Sequence, residues 1–86
     1  DKKVAILQNH GILTTGPSVD IALWFYMSME RCCQAQLMAE SAGKPISVPH
    51  ETAIKTREFI ANDIAAWASY QPAFDKIIKM QPDLLD

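Results

Sequence analysis

His10 is the residue in this sequence best placed to do chemistry. It lies at the end of the run Val4-Ala5-Ile6-Leu7-Gln8-Asn9-His10-Gly11, where a short apolar segment presents an imidazole beside a glycine. A neutral imidazole at a strand end suits a metal ion, zinc in particular. A catalytic zinc takes about three protein ligands and keeps one position open, and no second histidine or carboxylate stands near His10 at a matching spacing. Two readings therefore stand side by side. Either His10 is one ligand of a site whose other members lie elsewhere, or it packs or hydrogen-bonds at a strand end without any metal. The other histidine, His50, falls beside Glu51 in the first turn of a predicted helix and reads as a solvent-facing residue.

The elements that position His10 follow from local pattern. Val4 to Gln8 is a continuous apolar run, too short for a helix and rich in strand formers, which predicts a buried strand. Ile12 to Thr15 predicts a second extended piece, and Thr15-Gly16-Pro17-Ser18 a turn. Ser18 is suited to cap a helix and Asp20 to sit in its positive first turn. Gly43, followed by Lys44-Pro45, ends that helix near Ala42, with the glycine expected in the left-handed conformation. The first half of this helix, from Ile21 through Met29, is apolar on nearly every side and needs cover from more than one direction. Its aromatic and methionine stripe reads as core or subunit-interface packing rather than a cofactor pocket. The second half is amphipathic, with Glu30, Arg31, Gln34, Gln36 and Glu40 on offer to solvent or a partner. Pro49 is expected in the first turn of a second helix that runs to about Ala61. Asn62 caps a third, which Pro72 kinks or divides. Ile64, Trp67, Ala68, Phe74, Ile77 and Ile78 keep a helical rhythm across that proline. The last residues, from Gln81 to Asp86, form a short tail whose leucines suit docking onto a neighbour. Internal repeats, low-complexity stretches and interdomain linkers are absent from the sequence.

Composition narrows the class. The 86 residues suffice for one small domain with a modest core, and 49% hydrophobic against 21% charged residues describes a chain that folds. A net charge of −2 with scattered basic residues leaves no footprint for nucleic acid or an anionic membrane. No apolar run is long enough to span a bilayer, and no secretory signal opens the sequence, so a cytoplasmic location is expected. Cys32 and Cys33 are adjacent, so on a helix their side chains diverge by about 100° and suit neither a mutual disulfide nor a metal hook. They read as small, reduced core residues. The sequence opens on Asp1 rather than a methionine, and a piece of a longer polypeptide is the expectation.

Three stretches together carry a resemblance: Ile6-Leu7-Gln8-Asn9-His10-Gly11-Ile12-Leu13-Thr14-Thr15-Gly16, then Ser18-Val19-Asp20, then Met29-Glu30-Arg31-Cys32-Cys33-Gln34-Ala35-Gln36-Leu37. In order and spacing they resemble the C-terminal part of the class II aldolase/adducin family. Pro49-His50-Glu51, Trp67 with Gln71-Pro72, and Gln81-Pro82-Asp83-Leu84-Leu85-Asp86 resemble its aldolase-like branch. The resemblance implies an α/β fold: residues 1–86 as the C-terminal portion of one three-layer α/β/α domain, a short strand or hairpin followed by about three helices. It also implies a homo-oligomer, a tetramer in the family, with active sites between subunits. Further implied are a small-molecule substrate and zinc or another divalent metal held by three histidines and often a glutamate.

His10 matches the histidine of the family's Asn-His-Gly motif, the last metal ligand in chain order. The family's earlier His-x-His pair and catalytic glutamate have no counterpart in this sequence. Gln8 or Asn9 would then orient the ligand by hydrogen bonding, and Gly11 would let the backbone pass close to the site. The implied activity is that of a lyase on a sugar-derived or hydroxy-carbonyl substrate, working through a metal-stabilised enediolate. Residues 1–86 alone, with one ligand, are expected to be inactive and to need the rest of their domain as a partner. The alternative is a non-catalytic, adducin-like scaffold or cytoskeleton-binding module.

Overall fold

In the computed structural model, which describes residues 2–86 and leaves Asp1 outside the description, the first apolar run folds back on itself. β1 (Val4–Leu7) and β2 (Gly11–Thr14) pair antiparallel, with Val4 opposite Thr14 and Leu7 opposite Gly11. Opposite residues in such a pair share a face. Val4, Ile6, Ile12 and Thr14 therefore form one face of the hairpin, and Ala5, Leu7 and Leu13 the other. Three helices follow, α1 (Val19–Ala42), α2 (His50–Ile60) and α3 (Asp63–Met80), and a single 3₁₀ turn spans Pro82–Leu85. A hairpin followed by three helices is the order of elements expected from the sequence.

The turn into α1 is set by side-chain chemistry. Ser18 is extended, and its Oγ accepts a hydrogen bond from the Ile21 amide at 3.4 Å, with Asp20 in the first turn. Gly16 has no room for a side chain: a Cβ would stand 3.0 Å from Ile21 Cγ2 and 3.1 Å from the Ala22 nitrogen. Asn62 caps α3 more tightly, its Oδ1 accepting from the Ala65 amide at 2.8 Å. Its Nδ2 donates to the Phe59 carbonyl at 2.9 Å, so the same residue ties the end of α2 to the start of α3.

The core lies where α1 crosses α3 beneath the hairpin. Ile21 and Phe25, one turn apart, are buried against a fully buried Ala66, and Val4 and Trp24 pack on this cluster. Along α3 the residues turned inward are Ala66, Tyr70, Ala73 and Ile77, at spacings of four, three and four. Two alanines in that stripe let the helices approach closely. Gln71 adds a polar tie, donating to Asp20 Oδ2 at 3.1 Å.

Several expectations are corrected. The first strand is not buried: Leu7, on the hairpin face turned away from the helices, is 42% exposed, and Ile6, on the same face as Val4 but nearer the turn, is 66% exposed, because the ties to the helices lie at the other end of the ladder. Gly43 is extended, with φ at 162°, rather than left-handed; its amide closes the helix by donating to the Ala39 carbonyl at 3.2 Å. Pro49 precedes α2 as its cap residue instead of lying in the first turn, and α3 runs unbroken through Pro72. Cys32 is exposed and Cys33 half-buried, both as free thiols, since the second half of α1 extends past the hairpin and α3. Of the apolar positions that keep the helical rhythm of α3, Ile64 is 81% and Trp67 52% exposed.

Such exposure makes the chain extended for its mass. Its accessible surface is 7275 Å² and its radius of gyration 15.3 Å, against about 5,100 Å² and about 12 Å for a compact domain of this size. No described helix is long and apolar enough to cross a membrane.

Two stability contrasts follow. Gly16→Ala is expected to cost about 1–3 kcal/mol through overpacking against Ile21, whereas Gly43→Ala, extended and with open space around it, should change stability by less than about 0.5 kcal/mol. Asn62→Ala should cost about 1 kcal/mol and Ser18→Ala less, in keeping with the 2.8 and 3.4 Å cap bonds. Midpoints of urea unfolding, read at constant m-value, check all four.

Candidate functional site

The hairpin ladder carries the chain to a tight turn at Gln8-Asn9-His10 and back. Four residue pairs hold the strands in register, and beyond them the Thr15 amide donates to the Lys3 carbonyl at 3.0 Å. At the far end the His10 amide donates to the Leu7 carbonyl at 3.1 Å and closes the turn. Asn9 has φ of 63° and Gly11 φ of 129°, so His10 stands between two residues with left-handed φ values. A Cβ on Gly11 would meet nothing within 4 Å. The glycine is therefore required by its backbone angle, and the space beside it is open.

The ladder's other end is clamped to the helices. Thr14 Oγ1 donates to the Ala22 carbonyl at 2.8 Å, locking β2 to the first turn of α1. Lys3, just before β1, reaches across to donate its amine to the Ala61 carbonyl at the end of α2, with Nζ 5.0 Å from the centroid of the Phe25 ring. A cation at a helix C-terminus and over an aromatic face is favourable on both counts. No sequence pattern announced that role for Lys3, because its two partners lie on α1 and just past α2. Lys3, Phe25, Arg57, Ala61 and Asn62 also line a cleft of about 630 Å³, which His10 does not line.

His10 itself is exposed on the turn. Among the described residues its imidazole has no hydrogen-bond partner, and neither Gln8 nor Asn9 bonds to it through a side chain. His50 opens α2, a separate element, also exposed. No three histidine, cysteine, aspartate or glutamate side chains come together as a possible metal cage among the described residues. The donor chemistry thus fits a divalent metal at one position: a free, accessible imidazole on a fixed turn can supply one nitrogen. A complete ligand set is not assembled within these residues.

Comparison with known proteins places this geometry in a family. Residues 1–37, covering the hairpin and the first part of α1, match the class II aldolase and adducin N-terminal domain. Over 82 residues the chain is 38% identical to the decarboxylase NovR of Streptomyces niveus, covering 95% of this chain and 30% of that protein. It is 37% identical over 57 residues to a putative aldolase class 2 protein of Pseudomonas aeruginosa, covering 65% of this chain and 22% of that one. The solved structure of L-fuculose 1-phosphate aldolase from Glaciozyma antarctica superposes with a TM-score of 0.90 at 35% identity, over 95% of this chain and 33% of the aldolase. The chain thus spans about a third or less of the length of these relatives, and the hairpin and helices are those of the matching third of the aldolase fold.

Gly11→Ala tests the turn geometry. A side chain at this φ is expected to destabilise the hairpin by about 1–3 kcal/mol despite the open space, measured as faster exchange of the His10 amide and a lower unfolding midpoint.

Proposed function

The chain belongs to the class II aldolase and adducin family, and from that premise we propose that it supplies one ligand, His10, to a divalent-metal site in a lyase that breaks a carbon–carbon bond beside a carbonyl. The observation that carries this reading is the placing of His10: exposed, on a turn held by main-chain hydrogen bonds, with its imidazole uncommitted. Aldol cleavage and decarboxylation, the activities in the names of two relatives, both leave an electron pair on a carbon next to a carbonyl. A divalent cation, zinc being suited to imidazole, supplies Lewis-acid stabilisation of that charge. A hydroxy-carbonyl compound, sugar-derived or otherwise, is the proposed substrate class.

The contribution of this chain is positional. The ladder and the Thr14–Ala22 bond hold the turn at a set distance from α1, so the backbone that carries the imidazole needs no further ordering. The remaining ligands come from outside these residues, as does most of the substrate-binding surface. Residues 1–86 form the C-terminal portion of the domain in this reading, and the exposed apolar faces of the hairpin and α3 are where the rest of the domain and other subunits pack. By itself the chain has no catalytic activity.

Metal analysis of the full-length protein is the test. A bound divalent metal is expected, and His10→Ala should weaken its affinity by more than about 100-fold, exceeding the loss typical of an outer hydrogen-bonding partner. Residues 1–86 alone should bind no zinc at micromolar concentration. A full-length protein without metal, and without further histidine ligands upstream, would overturn the reading in favour of a binding or scaffold role.

A further inference from the structure

The geometry of the turn points to Asn9, and we infer that it is a positioning residue for His10, acting through its left-handed backbone and not through its amide. The inference rests on the proposed ligand role of His10 but is carried by separate observations. Asn9 is the one non-glycine residue with positive φ among the described residues. It occupies the third position of the turn Leu7–His10, which the His10 amide closes by donating to the Leu7 carbonyl at 3.1 Å. Positive φ at that position alone is the pattern of a type II turn, which calls for glycine or asparagine there. Other L residues meet a clash between Cβ and the carbonyl oxygen in this conformation, and β-branched ones meet it most severely.

The consequence reaches His10 because of the two-residue period of strands. With Asn9 at φ 63° and Gly11 at φ 129°, the backbone on both sides of His10 is fixed in conformations most residues avoid. A residue unable to hold the left-handed angle at position 9 forces the turn to re-form. A slip of one residue in the ladder carries the imidazole to the opposite face and breaks the Leu7–Gly11 pairing. Hydrogen bonding by the Asn9 amide is the competing explanation for an asparagine beside a ligand. Asn9 is exposed, and its side chain makes no hydrogen bond to any described residue.

Three variants of the full-length protein separate these explanations: Asn9→Gly, Asn9→Val and His10→Ala. Two readouts are used, zinc affinity and the exchange rate of the His10 amide. Asn9→Gly keeps the backbone angle and discards the amide, so it should hold zinc affinity within about twofold and preserve amide protection. Asn9→Val discards both and should weaken zinc binding roughly 5- to 30-fold, with faster His10 exchange. If Asn9→Gly loses zinc affinity as severely as Asn9→Val while His10 exchange is unchanged, the amide is the working part and the inference is overturned. Val retaining both affinity and protection overturns it as well. Should His10→Ala leave zinc affinity untouched, the ligand reading falls alone, and the exchange comparison between the Gly and Val variants still decides whether Asn9 sets the turn. Asn9→Ala provides an intermediate arm if the Val variant does not fold.

Discussion

A two-stranded hairpin has little stability of its own in water, so the position of His10 depends on how β1 and β2 are clamped to α1. Three contacts make that clamp. Thr14 Oγ1 donates to the Ala22 carbonyl, Val4 packs against the Ile21–Phe25–Ala66 cluster, and the Lys3 amine bridges the Phe25 ring and the end of α2. All of them act at the end of the ladder remote from the turn. The turn inherits its place through the strand pairing, which transmits it as a rigid register.

Among the described residues three form the buried core, and they lie at one crossing. Full burial of a side chain such as Ile or Phe stabilises by about 1.5–3 kcal/mol, so a cluster of this size stands against the conformational entropy of 86 residues with little margin. The apolar surface left over is spread over every element and includes Ile6, Leu7 and Leu13 of the hairpin, Leu37 and Met38 of α1, Phe59 of α2, and Ile64 and Trp67 of α3. It lies outside the existing core. This distribution fits the proposal that the chain is one portion of a layered α/β/α domain, with its sheet extended and its helices covered by the remainder.

Much of the local structure was legible in the sequence because it is local. Ser18 and Asn62 mark their helix starts through hydrogen bonds that span three residues, and the Thr15–Ser18 turn follows from glycine and proline chemistry. The bounds of α1, Val19 to Ala42, agree with the cap and the glycine stop. The conformation of Gly43 does not agree with the expected left-handed cap, since a single backbone bond to Ala39 suffices where the chain leaves extended. Burial was harder to read. α3 carries apolar residues on two faces, and periodicity cannot say which face is covered; Ala66 is buried and Tyr70, Ala73 and Ile77 are half-buried, while Ile64 and Trp67 are exposed. Cys32 and Cys33 are apolar enough to be core residues, yet they sit on a stretch of α1 whose residues are mostly exposed.

For the candidate site, the sequence by itself determined the candidate residue and its company: an imidazole between an asparagine and a glycine, after an apolar run. Residue chemistry and spacing suffice for that. Tertiary structure decided the rest. It paired the two strands into a hairpin and set His10 on the turn between them, exposed and flanked by φ values of 63° and 129°. It also made Lys3 a tie across the fold, a role that depends on residues 22 and 58 positions away coming together. Those relations are distances in space between segments far apart in sequence, and only packing creates them.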